Sequence, residues 1–176
     1  NTLLTMIMNL LDIAKVDDGS LQLNLSPIDI NSLVQERIVA IRPLADQKNL
    51  SIGTDLRSDL PLVQGDSEIL QRVLANLLGN AISYSRDGGK ILVKTSLEAK
   101  FVIVSICDEG RGIPSKYHQR IFEKFGQVRA GEGRRHGSTG LGLTFCKMAV
   151  EAHSGTIGVE SEKDEGSEFF FSLPVS

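Results

Sequence analysis

Asn76-Leu77-Leu78-Gly79-Asn80-Ala81 is the stretch on which the fold reading turns. It lies inside a longer pattern. Ile69, Leu70, Val73, Leu74, Leu77, Leu78 and Ala81 recur at three- and four-residue spacing, as in an amphipathic helix. Gly65-Asp66-Ser67 opens that helix, with Asp66 or Ser67 as its N-cap. Asn76 and Asn80 stand one turn apart and share a face. Two amides amid leucines are either polar groups satisfied within the core or ligands of something beyond the helix. The stretch alone leaves both open.

Upstream, Leu33, Val34, Ile38, Ile41, Leu44 and Ala45 line one face of a helix expected over about residues 30–48. Pro43 removes one of its amide donors and predicts a bend. Ser26-Pro27-Ile28-Asp29 reads as the turn into that helix, and the alternating Leu21, Leu23 and Leu25 as a short strand before it. Residues 1–18 read as another helix, with Leu3, Leu4, Ile7, Leu10, Leu11 and Ala14 at helical spacing and a stop at Asp17-Asp18-Gly19. Strands are expected over about 50–56 and 61–63. Downstream, Asp87-Gly88-Gly89 is a turn. Two strands follow over about 90–98 and 101–107, then a helix over about 140–153 and a closing hairpin near 155–162 and 167–173. Helices and strands in mixed order, ending in hairpins, predict an α+β fold. The expected form is a two-layer α/β sandwich: a mixed, mostly antiparallel sheet covered on one face by about three helices, plus the N-terminal helix.

The chain has 176 residues and a formal charge of -3, enough for one domain with a real core and no basic surface that would advertise nucleic acid. No apolar run reaches the roughly 18 residues of a membrane span. Cys107 and Cys146 lie in apolar stretches without a CxxC pattern and read as buried free thiols in a reducing compartment. His118, His136 and His153 lack metal-ligand spacing, and each reads as a surface histidine. The first residue is Asn1, so the chain reads as a piece of something longer.

Three more segments carry chemistry. Asp108-Glu109-Gly110-Arg111-Gly112-Ile113-Pro114 follows a buried strand, where an aspartate and glycines leave backbone room for a flat ligand. Ile121-Phe122-Glu123-Lys124-Phe125 alone is an amphipathic scrap. Gly137-Ser138-Thr139-Gly140-Leu141-Gly142-Leu143 opens a helix, and glycines there expose free amides and the helix dipole to an anion. Between Gly110 and Gly142 seven arginines and lysines face only Glu123 and Glu132. Those like charges and glycines predict poor order over about 126–138 without nucleotide.

In order and spacing the four segments resemble the ATP-binding catalytic domain of sensor histidine kinases, within the group that includes Hsp90, DNA gyrase B and MutL. Asn76–Asn80 resembles the N box, Asp108–Pro114 and Gly137–Leu143 the two glycine boxes, and Ile121–Phe125 the F box. His153-Ser154-Gly155-Thr156-Ile157, Gly166-Ser167 and Phe169–Pro174 resemble the closing hairpin. The resemblance implies ATP and Mg2+ as ligands. It implies Asp108 on the adenine amino group, Asn80 on the metal, and Asn76 beside the phosphates. Gly110 and Gly112 would let the chain pass close to the nucleotide. Thr139, Gly140, Leu141, Gly142 and Leu143 would hold phosphate oxygens, and Phe125 would lie on the ligand. Tyr84, Ile106, Ile113 and Phe170 are either walls of the adenine slot or plain core. Residues 115–139 would form a lid.

Where the ATPase relatives place a glutamate to activate water, this chain has Asn76, which cannot act as a base; that favours phosphoryl transfer to a protein group. Residues 9–16 resemble the end of the second dimerisation and phosphotransfer helix. This divides the chain into 1–19, helix end and linker, and 20–176, the catalytic domain. The phosphoacceptor histidine would lie upstream, on the same or a partner subunit. A homodimeric parent and a response regulator are implied, and neither nucleic acid nor direct membrane contact. The implied location is cytoplasmic, with anchoring of the parent left open. Ser83 stands where the resemblance expects Lys or Arg, so the alternative is a nucleotide-binding module without phosphotransfer.

Overall fold

The computed structural model describes residues 22–126 and 140–175. The expected helix over 1–18 and the basic, glycine-rich run over 127–139 lie outside them. The elements are β1 (Ser26–Ile28), α1 (Ile30–Asp46), β2 (Ser51–Leu56), β3 (Val63–Gly65), α2 (Ser67–Tyr84), β4 (Lys90–Glu98) and β5 (Phe101–Asp108). Two single 3₁₀ turns follow, Ser115–Tyr117 and Arg120–Phe122, then α3 (Gly142–Ala152), β6 (Thr156–Glu162) and β7 (Gly166–Pro174).

The main sheet has the order β2-β4-β5-β7-β6. Only β2–β4 is parallel; the other three pairings are antiparallel. Alternation decides its two faces. Ile91 and Val93, then Val102, Val104 and Ile106, then Phe169, Phe171 and Leu173 are all buried in one core with the apolar stripes of the three helices. Within it Leu70, Leu74, Leu77 and Leu78 of α2 are at most 1% exposed. Each such side chain contributes on the order of 1.5–3 kcal/mol of burial. The opposite face is open and carries Leu92, Lys94 and Cys107, with Lys94 bonded to Glu168 at 2.9 Å.

The two-layer sandwich is as expected; some boundaries are not. The strand expected around Leu21, Leu23 and Leu25 is not there: residues 22–25 are irregular and Leu25 is 53% exposed. The strand is instead Ser26–Ile28, paired with Val63–Gly65. Leu23 is half-buried and Leu25 exposed, so the alternation there does not mark one buried strand face. A two-stranded ribbon tolerates Pro27, which lacks a ladder donor. Pro43 is accommodated within α1. Asp66, not Ser67, caps α2, accepting from the amides of Glu68 and Ile69 at 3.1 Å.

His153 is not a surface residue. It is 5% exposed, its Nε2 accepts the Asp66 amide at 2.9 Å, and its Nδ1 donates to the Ala149 carbonyl at 2.7 Å. It therefore joins the end of α3 to the start of α2. Of the thiols, Cys146 is buried and Cys107 only half-buried. Among the described residues no helix is long and apolar enough to cross a membrane.

Candidate nucleotide site

Helix α2 turns its leucine stripe to the sheet, which leaves Arg72, Asn76 and Asn80 half-buried on its flank. Helix α3 packs on that flank and runs antiparallel to α2. Its first residue, Gly142, lies against Asn76; a Cβ there would come within 3.0 Å of Asn76 Oδ1. Three residues on, the Phe145 ring lies under the Arg72 guanidinium at 4.2 Å. The Cys146 thiol reaches the Val73 carbonyl at 3.8 Å. The far end of α3 meets Asp66 through His153.

This arrangement aims the start of α3 at the middle of α2. Among the described residues no side chain caps that start. The first amides of α3 and the positive end of its dipole are thus available to an anion beside Asn76. Gly140 sits just before in the left-handed region at φ 69°, with a Cβ direction only 2.9 Å from the Phe125 backbone. It binds Phe125 from the other side as well, since the Phe125 amide donates to the Gly140 carbonyl at 3.2 Å. The buried Thr144 hydroxyl donates to the Glu123 carbonyl at 2.9 Å. Ile121 and Phe122 anchor this strap in the core, where Phe122 meets Phe169 edge-on. Phe125 itself is 68% exposed at the mouth.

Asp108 ends β5 at the other end of the site. It is 8% exposed, and Oδ1 accepts the Gly110 amide at 2.8 Å. Burial pushes its pKa up from 3.8 to about 6, against the pull of that hydrogen bond. Gly110 bridges to Ser85 just past α2. A Cβ on it would fall 2.5 Å from Asp108 Oδ1 and 2.7 Å from the Tyr84 carbonyl. Only glycine lets the buried carboxylate sit against the end of the asparagine helix. Tyr84 is 40% exposed there, with the Arg111 guanidinium 4.9 Å over its ring.

The remaining expected residues divide. Leu141 is buried, Leu143 and Ile113 are half-buried on the core, and Ile106 is core at 1% exposure. The Ile113 amide donates to Ser161 Oγ at 2.8 Å. Phe170 cannot wall the adenine slot. It alternates with the buried Phe169 and Phe171, so it stands on the open face of the sheet, against Gly158. Gly112, at φ 64°, turns its bare side to the Glu162 carbonyl. The close approach it permits is to the β6–β7 hairpin. Thr139 lies outside the described residues.

Lys48 is a residue the sequence reading missed. From the loop after α1 it donates to the carbonyls of Ile82 and Ser85 at 2.7 Å and of Ser83 at 3.4 Å. A cation on the orphan carbonyls complements the negative end of α2. It holds the turn that meets Gly110. Nothing in a local pattern signals this, because the partners are 34 to 37 residues away. A cleft of about 390 Å3 opens beside Gly110, lined by Asp87, Glu109, Asp164 and Glu165 with Arg86. It shares only Glu109 and Gly110 with the motifs, and its acidic wall suits no phosphate.

Residues 65–176 match the family of histidine kinase-, DNA gyrase B- and HSP90-like ATPases. The chain belongs to this family. It is 34% identical over 173 residues to the alginate biosynthesis sensor protein KinB of Pseudomonas aeruginosa, covering 98% of this chain and 28% of KinB. Full-length ShkA in complex with AMPPNP superposes with a TM-score of 0.86 at 30% identity, over 98% of this chain and 35% of ShkA. The histidine kinase ThkA, in complex with the response regulator TrrA, has the same fold at 24% identity. Its TM-score is 0.75, over 99% of this chain and 50% of ThkA. The chain thus carries the catalytic ATPase domain of histidine kinases, an ATP-binding domain. It spans about a third or less of the length of KinB and ShkA.

Proposed function

We propose that this chain is the phosphodonor part of a two-component sensor kinase. It would hold Mg2+·ATP and present the γ-phosphate to a histidine on a helix outside the described residues. One observation carries the reading: the uncapped start of α3 faces Asn76 of α2, while the buried Asp108 carboxylate closes the C-terminal end of the same helix. An anion-loving end and an acceptor-bearing end on one helix match a nucleotide with triphosphate and adenine apart.

The roles follow from the donors. Asp108 accepts a hydrogen bond from the exocyclic amine, with Tyr84, Ile113 and Gly110 around the base. Asn80 offers an amide oxygen, a hard donor suited to magnesium. The amides from Gly142 onward, with Gly140, Leu141, Leu143 and Thr139, receive phosphate oxygens, and Phe125 closes the mouth. When bound, the metal supplies charge neutralisation across the phosphates. Asn76 touches the phosphates without abstracting a proton, so the site positions a donor and does not activate water. Residues 1–19 would be the end of the dimerisation helix and its linker. The acceptor helix of the same or a partner subunit, a response regulator and a homodimeric, cytoplasmic arrangement complete the proposal. The likeness to KinB and ShkA supports it.

Calorimetric titration with Mg2+ and a non-hydrolysable ATP analogue tests the site. Micromolar-range binding is expected, lost in Asn80→Asp and in Asp108→Asn. No binding at millimolar analogue would sink the reading. Mixing the chain with the upstream helix pair and labelled ATP tests transfer. Acid-labile phosphohistidine is expected; tight binding without it would leave a nucleotide-binding module.

A further inference from the structure

We infer that Thr144 is a positioning residue for the nucleotide: its hydroxyl ties the strap that ends at Phe125 to the first turn of α3, so the phosphate end is preformed. The inference rests on the function just proposed. Thr144 is 4% exposed, so its hydroxyl proton is given to protein and not to bulk water. Oγ1 donates to the Glu123 carbonyl at 2.9 Å, and the Gly140 carbonyl lies at 3.3 Å. The longer contact is the back-bond that a helical threonine makes to the carbonyl four residues before it. The shorter one crosses from helix to strap, between residues 21 apart in the chain.

The joint needs such a hold. Phe125 and Gly140 both stand at positive φ, 62° and 69°. For phenylalanine that backbone is unfavourable, and it persists only where its surroundings over-determine it. Two carbonyls do so, each with two lone pairs. The Gly140 carbonyl accepts the Phe125 amide at 3.2 Å, and the Glu123 carbonyl accepts the Gly126 amide at 2.9 Å. Thr144 lies within reach of both, so one side chain of α3 binds two acceptors that the strap amides also use. Gly142, midway along the turn that Thr144 closes, lies against Asn76. The hydroxyl thereby sets Phe125 relative to Asn76 and the start of α3. A site held in this way loses less binding free energy to ordering. The base end is held separately, by the hydrogen bond from Gly110 to Asp108 and the bridge from Gly110 to Ser85. The effect of Thr144 therefore falls on the phosphates and not on the base.

Mg2+·AMPPNP and adenosine are titrated into the whole chain and into Thr144→Val and Thr144→Ser, with binding read from amide shifts in NMR spectra up to millimolar ligand. Valine keeps the branched shape and removes the donor; serine keeps the donor. The parent is expected to bind Mg2+·AMPPNP more tightly than adenosine. Thr144→Val weakens Mg2+·AMPPNP about fivefold, the loss of one neutral hydrogen bond, and leaves adenosine within about twofold. Thr144→Ser restores most of the loss. A general loosening of the fold would weaken both ligands alike, and that result overturns the inference. So does a Val variant that binds Mg2+·AMPPNP as the parent does, or a Ser variant as weak as the Val variant. Should the Val variant fail to fold, Thr144→Ala removes the same donor without filling its place and takes the same test. A parent chain that binds Mg2+·AMPPNP no better than adenosine, or binds neither, overturns the proposed function itself.

Discussion

Replacing Asp108 by asparagine should stabilise the fold while removing nucleotide recognition. The carboxylate is 8% exposed and its pKa is raised from 3.8 to about 6, chiefly by burial. Between these values the folded chain holds a proton that the unfolded chain has released. Stability from this group is therefore greatest below about pH 4, falls as the pH rises through 6, and stays low above it. At 1.36 kcal/mol per pKa unit the buried charge costs at most about 3 kcal/mol at neutral pH. Residual solvent access reduces that to about 1–2 kcal/mol. Asparagine carries no charge, and its Oδ1 can keep the Gly110 amide. Urea titration should find Asp108→Asn more stable than the parent by about 1–2 kcal/mol at pH 7.5 and equal to it near pH 4. The other oxygen position now presents an NH2 group to the adenine amine. Two donors facing each other should weaken ATP binding by about 1–3 kcal/mol. In the parent, binding should fall off as the pH drops through 6. A variant less stable than the parent at pH 7.5, or one with the same pH slope, would refute the account of Asp108.

Lys48→Met should cost about 2–3 kcal/mol in urea unfolding, because it strips the cation from three carbonyls at the end of α2. Lys48→Arg should recover part of that, and an unchanged midpoint in the Met variant would contradict the clamp. Gly112→Ala should lower the melting temperature far more than an unstrained loop Gly→Ala, whose effect is within about 1 kcal/mol. Its left-handed backbone alone costs about 1–2 kcal/mol, and its Cβ would collide with the Glu162 carbonyl. A neutral result would mean the β6–β7 hairpin does not rest on that glycine.

The sandwich was legible because α2, β4 and β5 each repeat one period without a break. The stripe Leu70-Val73-Leu74-Leu77-Leu78 and the alternation Val102-Val104-Ile106 need no distant information. Asn76, Asp108 and Gly140 were legible as motifs; the fold sets Asn76 against Gly142, two residues past Gly140, and Asp108 by the C-terminal end of α2. What the residues could not convey was direction. Phe169, Phe170 and Phe171 are indistinguishable as a run, yet the pleat sends the middle one to the open face. Gly112 reads as room for a ligand until the hairpin carbonyl is seen to fill it. His153 and Lys48 are lone polar residues in sequence. Their partners, Asp66 and the end of α2, are fixed only once the chain has folded back.

Local departures from good folding gather around α2 and the start of α3. A carboxylate is buried without a cation, at a cost in stability. Among the described residues α3 begins without a side-chain cap. Gly140 and Phe125, held together, both sit at positive φ. Such conflicts are expected where function overrides local consistency. Two of them have opposite electrostatic demands: among the described residues the start of α3 has no negative group on it, and Asp108 has one amide as its hydrogen-bond donor. No single side chain could answer both, because they lie at opposite ends of the Asn76–Ser85 segment. One extended ligand can, if it carries an anionic tail and a base with an exocyclic amine. Guanine fails this requirement, since it would turn a carbonyl oxygen towards a carboxylate that has nothing to donate while ionised. On the proposed function, these two features would select adenine over guanine and a phosphorylated ligand over a bare nucleoside.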